Sequence, residues 1–234
     1  FPNNYYENLL IKADLDPITQ GGLDENTRDD IEKDIDRTYP EHDYFSDING
    51  EGVTRLRRVL IAYAIHNPTV GYCQALNFLA GTMLLYLDEI DAFWLFVTVI
   101  DTLLPHDYYT PSMVGMFTDQ MVFGRLVKEY LPKVSEVLER EQLQLPLVTV
   151  QWFMCGFMTT LRHDVALRVW DIFLNEGSKV FFRIAMALFK INEKFILNAK
   201  DGGELFMILK SLGHDIIDAD ELISIAYKSF QPKI

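Results

Sequence analysis

Apolar residues recur at helical spacing along almost the whole chain. Ile31 and Ile35 stand four apart, and Val53, Leu56, Val59, Leu60 and Tyr63 follow one face of a helix. Val180, Ile184, Leu188, Ile191 and Phe195 do the same further on. The pattern predicts helices over 4–13, 27–38, 51–66, 72–87, 92–104, 117–131 and 132–141. It predicts further helices over 146–161, 165–175, 179–197, 202–212 and 220–230. Pro40, Asn67-Pro68 and Gly177 interrupt it, and Asp91 is placed to cap the fifth helix. No set of segments alternates with a period of two, so the expected class is all-α. The segment 72–87 is apolar nearly all round, which places it centrally. The connection Leu143–Leu147 is a soft candidate for a subdomain boundary.

At 234 residues the chain can form one large domain or two intimate subdomains. It begins at Phe1 rather than Met and reads as a piece cut from a longer protein. A formal net charge of -13 argues against nucleic acid and against direct adsorption to anionic lipid. It leaves room for a single placed arginine to meet a single phosphate. Two cysteines, Cys73 and Cys155, give no disulfide framework and suit a reducing compartment. No apolar run approaches the ~18 residues of a membrane span. His42, His66, His106, His163 and His214 lack zinc spacing, and Asp215, Asp218, Asp220 and Glu221 suit helix capping better than a calcium loop. The phosphate-binding patterns GxxxxGK[ST] and GxGxxG are missing, so the chain does not read as a nucleotide binder itself.

Two stretches carry the candidate chemistry. In the first, Asp34 and Arg37 are three apart at the end of a short helix before Tyr39-Pro40, so the carboxylate can aim the arginine. Arginine is permanently charged, and its planar fork suits phosphate oxygens. In the second, Gln74 and Asn77 are among the few polar groups near the start of the apolar helix, beside Tyr72 and Cys73. On spacing alone, Arg37 with Asp34 is also what a plain surface pair looks like, and Gln74 what a satisfied core amide looks like.

Ile31-x-x-Asp34-x-x-Arg37-Thr38, followed by Gly71-Tyr72-x-Gln74, resembles the TBC domain, whose signatures IxxDxxR and YxQ stand in this order. Phe45, Gln74–Ala80, Glu89–Trp94, Asp119-Gln120, Gln151-Trp152-Phe153, Arg168–Asp171 and Glu176-Gly177 also look like family landmarks, so the resemblance covers nearly the whole chain. It implies an all-helical, V-shaped, two-subdomain fold whose groove takes the switch regions of a small GTPase. The implied function is a GTPase-activating protein (GAP) for a Rab-family GTPase in its GTP form. Such a protein is not a hydrolase by itself.

On this resemblance Arg37 matches an arginine finger and Gln74 a glutamine finger, both supplied in trans, with Asp34, Tyr72 and Asn77 in support. No cofactor of its own is implied; GTP and Mg2+ belong to the partner. Membrane contact would be indirect, and the expected location is cytoplasmic or peripheral at vesicle or organelle membranes. The chain 1–234 would then be a single TBC domain lacking its extreme N-terminal helix, where the family's upstream arginine–tryptophan motif falls. The family often has glycine after the glutamine, whereas this chain has Ala75. The alternative is a TBC-like scaffold that binds a GTPase or another helical partner without accelerating hydrolysis.

Overall fold

The computed structural model describes residues 4–230, which form thirteen α-helices and one π-helical turn, with no strand among the described residues. The chain divides into two compact units, one ending at Gly115 and the next starting at Met116. The all-α expectation therefore holds.

The first unit contains α1 (Tyr5–Ala13), α2 (Glu25–Ile35), α3 (Glu51–His66), α4 (Leu76–Leu84) and α5 (Glu89–Thr98), which runs on into a π-turn at Val99–Leu103. Helix α3 is its axis and packs against α1, α2, α4 and α5. Its interior-facing Val53, Leu56, Val59, Leu60 and Tyr63 are buried, as their spacing requires. The π-turn is pinned to α3 by one carboxylate. Asp101 accepts from the Tyr63 hydroxyl (2.8 Å) and from Asn67 Nδ2 (2.9 Å), and meets His66 Nε2 at 3.2 Å. Trp94 is half-buried and stacks on Tyr5 at a ring separation of 5.7 Å.

Several boundaries in this unit differ from expectation for local reasons. Helix α2 starts at Glu25, because the Asp24 carboxylate accepts from the Thr27 N–H at 2.9 Å and caps it. It also ends at Ile35, since the Thr38 N–H turns back to the Ile35 carbonyl at 3.0 Å. Helix α4 starts only at Leu76, because Ala75 holds a positive φ of 106° that no α-helix accommodates. Helix α5 starts at Glu89, with Asp88 at the capping position and Asp91 inside the first turn.

The second unit contains α6 (Val114–Tyr130, entering from the first unit), α7 (Pro132–Arg140), α8 (Pro146–Met154), α9 (His163–Glu176), α10 (Lys179–Ile191), α11 (Glu193–Leu197), α12 (Gly202–Ser211) and α13 (Ala219–Lys228). Helix α10 is its centre, with α9 and α13 against it. The anticipated break at Leu143–Leu147 is not where the units divide; that segment lies inside the second unit. The elements on either side of it share one core. Thr149 on α8 is hydrogen-bonded to Gln120 on α6 at 2.5 Å, and Phe153 meets Phe123 at 5.6 Å between ring centres. Helix α8 stops at Met154 instead of Leu161, as Gly156 (φ 52°) and Phe157 (φ 65°) turn left-handed. The long helix expected over 179–197 is interrupted at Asn192, which separates α10 from α11. Asp218 caps α13 by accepting from the Glu221 N–H at 3.0 Å, in line with the capping expectation for the acidic 215–221 segment.

Candidate functional site

Helix α2 delivers Asp34 in its final turn, and Arg37 follows just past the helix end. Ile31 and Ile35 anchor this turn in the core. Asp34 points inward: its side chain is only 4% exposed, while that of Arg37 is 51% exposed. A buried carboxylate loses its hydration and must find donors. Asp34 finds one for each oxygen. Arg37 Nη2 donates to Oδ1, and the Tyr72 hydroxyl donates to Oδ2 at 2.6 Å. Arginine has five N–H donors, so this contact leaves most of its fork for an incoming ligand.

Tyr72, Cys73 and Gln74 form an irregular stretch ahead of α4. Gln74 is exposed, and its side-chain amide makes no hydrogen bond among the described residues, so the core-amide alternative does not hold. The two stretches meet. They join at Asp34–Tyr72 and again between Asn77 Nδ2 and Thr38 Oγ1 at 2.8 Å. Asn77, expected only as a supporting residue, is fully buried.

Electrostatics around Asp34 follow from the same burial. Desolvation, with Asp34 as hydrogen-bond acceptor and neighbouring negative charge, drives the Tyr72 phenol far above its usual range. Tyr72 therefore stays a donor at any physiological pH. Burial, helped by the Asp34 charge, pushes the Cys73 thiol up to about 11. A thiol held neutral is a poor nucleophile, which removes Cys73 as a candidate for covalent chemistry. No group of three or more His, Cys, Asp and Glu suited to a metal ion occurs among the described residues.

Sequence reasoning missed Thr38. It is buried, donates to the Asp34 carbonyl at 2.7 Å, and accepts from Asn77. A threonine beside a motif arginine carries no signal of such a role. Ala75 did carry one. Glycine is the default where φ is positive, and Ala75, standing where the family often has glycine, holds a φ of 106°. The candidate side chains also line no cavity with His42, Tyr44, Arg55 and the 84–88 turn, where a recess of about 440 Å³ lies. Arg37 and Gln74 are both exposed.

The helical fold defines a class. The chain superposes on the crystal structure of the Chlamydomonas flagellar RabGAP TBC domain with a TM-score of 0.82, at 28% identity, over 97% of this chain and 73% of that one. It shares its fold with the Ypt/Rab-GAP domain of Gyp1p at a TM-score of 0.80 and 20% identity, over 96% of this chain and 77% of that one. The Rab-GTPase-TBC domain family model matches residues 5–197, and the chain belongs to that family. Among curated relatives, TBC1 domain family member 2B of Mus musculus is 42% identical over 231 residues, covering 98% of this chain and 23% of that protein. TBC1 domain family member 2A of Mus musculus is 42% identical over 203 residues, covering 86% of this chain and 22% of that protein. The chain thus spans under a quarter of the length of these relatives. No helix of the described residues is long and apolar enough to cross a membrane.

Proposed function

We propose that this domain accelerates GTP hydrolysis by a Rab-family GTPase, inserting Arg37 and Gln74 in trans beside the γ-phosphate. The observation that carries this is the shared anchor: the buried Asp34 carboxylate holds the exposed Arg37 on one oxygen and, on the other, Tyr72, two residues before the exposed Gln74. Phosphoryl transfer from GTP to water spreads negative charge over the γ-phosphoryl oxygens and the leaving bridge. An arginine placed there in trans is worth roughly 10³ to 10⁵ in rate in Ras-type systems. That equals about 4 to 7 kcal/mol of barrier. Lysine supplies the charge without the planar fork. Gln74 has both a donor and an acceptor, so it can orient the attacking water and touch the phosphate together. A carboxylate in its place would repel the phosphate. GTP and Mg2+ come with the partner, which binds in its GTP form. The domain acts in the cytoplasm, meeting membranes through the GTPase or through other parts of a longer protein.

The test is single-turnover GTP hydrolysis across a panel of purified Rab GTPases, with wild type, Arg37→Ala and Gln74→Ala in parallel. One GTPase should respond. Arg37→Ala should lose roughly 10³-fold or more of the gain, and Gln74→Ala most of it. Acceleration that survives Arg37→Ala refutes the assignment. Binding without acceleration by wild type supports the scaffold instead.

A further inference from the structure

Behind the two exposed side chains runs a buried polar bridge. The Thr38 hydroxyl donates to the Asp34 carbonyl at 2.7 Å and accepts from Asn77 Nδ2 at 2.8 Å. Asn77 uses the other end of its amide as well: Oδ1 accepts the Ala75 N–H at 3.2 Å. One side chain therefore grips both the turn that carries Arg37 and the peptide that follows Gln74. Thr38 and Asn77 are 1% and 0% exposed, so water cannot substitute for either bond.

The backbone shows why such a grip is required. Tyr39 sits at a φ of 49° and Ala75 at 106°, each within two residues of a candidate finger and each a residue type that disfavours positive φ. Left alone, each turn would relax and its neighbour would swing away. Helix α4 opposes this from one face. The Tyr39 hydroxyl bonds Thr82 Oγ1 at 2.8 Å. Gly81 admits the turn closely, for a methyl group there would lie 2.9 Å from Thr38 Cγ2.

We propose that the Thr38–Asn77–Ala75 bridge is a positioning device that couples Arg37 to Gln74, setting the rate of the hydrolysis step and not the affinity for the GTPase. The bridge rests on the GAP function proposed above. It acts through the fingers, and neither Thr38 nor Asn77 touches the nucleotide. Rigidity is what it supplies, since a displacement of about 1 Å in a catalytic group can cost roughly a hundredfold.

Three variants separate positioning from plain stability. Thr38→Val keeps the shape and deletes both hydroxyl bonds. Thr38→Ser restores them. Asn77→Asp keeps the acceptor for Ala75 but puts an oxygen in place of the Nδ2 donor, which faces Thr38 Oγ1 at 2.8 Å and the Asp34 carbonyl at 3.4 Å. In single-turnover assays on a responding Rab GTPase, Thr38→Val and Asn77→Asp should lower the maximal rate by roughly tenfold to a hundredfold. The half-saturating concentration should stay near wild type, and Thr38→Ser should recover the rate. Thr38→Val should cost much less when Gln74 is already alanine, because the two share one route. A folded Thr38→Val protein with an undiminished maximal rate overturns the proposal. So does a loss that appears only in the half-saturating concentration. Amide hydrogen exchange at Ala75, followed by NMR without any GTPase, gives a second readout: Thr38→Val should speed it. If wild type accelerates no GTPase, the GAP function fails. Exchange at Ala75 then still judges the coupling, and an unchanged rate overturns it.

Discussion

Non-glycine residues take a positive φ in both units, and what holds them there differs. At Ala75 the peptide N–H is held by Asn77, and at Tyr39 the side-chain hydroxyl is held by Thr82; Gln74 and Arg37, close to them in the chain, are exposed. Around Gly156-Phe157 in the second unit, the turn is clamped by packing. Phe157 is fully buried among Trp152, Phe153 and Phe181, and the Trp170 indole N–H donates to the Gly156 carbonyl at 2.8 Å. A methyl at Gly156 would meet the Trp170 ring at 2.9 Å. Strain held by apolar contact turns the chain and closes a core. Strain held by directed polar bonds fixes the exit of specific side chains. Hydrogen bonds fix orientation, whereas dispersion contacts mostly fix volume.

The packed turn is the more costly one to damage. Phe157→Ala should destabilise the protein by about 3 to 5 kcal/mol, as large aromatic deletions in cores do. Denaturant unfolding measures this, and a loss below about 1 kcal/mol would mean the turn does not depend on packing. Next in size, Trp170→Phe removes the indole donor and strands the Gly156 carbonyl, for a loss of about 1 to 3 kcal/mol in the same assay. At the polar turn the sign should reverse. Ala75→Gly removes the positive-φ penalty, of order 1–3 kcal/mol. It also loosens the unfolded chain by about 0.4–1 kcal/mol, so a net gain of roughly 1 kcal/mol is expected. A thermal melt that shifts downward would show that Ala75 is not strained.

The smallest effect is chemical. The Cys73 thiol, held up to about 11 by burial and by Asp34, stays neutral well past the pH where an exposed cysteine ionises. Its alkylation rate should therefore climb only as pH approaches that value. A half-point in the usual range near 8.5 would refute the burial. The stability sign follows. Between the unfolded and folded thiol pKa values the unfolded chain binds fewer protons, so this group's contribution is present below the unfolded pKa and declines as pH rises toward 11.

Much of the site was legible before any coordinates. Asp34 and Arg37 at a spacing of three, with Tyr72 and Gln74 a fixed distance on, identified both stretches, and they do meet. The error lay in the local backbone. Arg37 was expected within the last turn of a helix and Gln74 near the start of one, yet both lie just outside. Helical periodicity reads side-chain faces and is blind to one residue of positive φ. The same blindness carried the expected helix 146–161 through Gly156-Phe157. The expected boundary at 143–147 failed for a different reason. A proline and a short polar turn look alike whether they end a unit or only join α7 to α8.

By itself, then, the sequence determined the helical class, the buried faces, the family and the identity of both exposed groups. These follow from periodicity and from short spacings, which act within a few residues. Only the tertiary structure decided that Thr38 and Asn77 bridge the two stretches, that Asp34 gives one oxygen to each, and that Ala75 is strained. Those facts join residues some forty positions apart, such as Thr38 and Asn77 at a separation of 39. No local pattern encodes such a pair, because burial and hydrogen-bond geometry between distant segments exist only once α2 and α4 have packed.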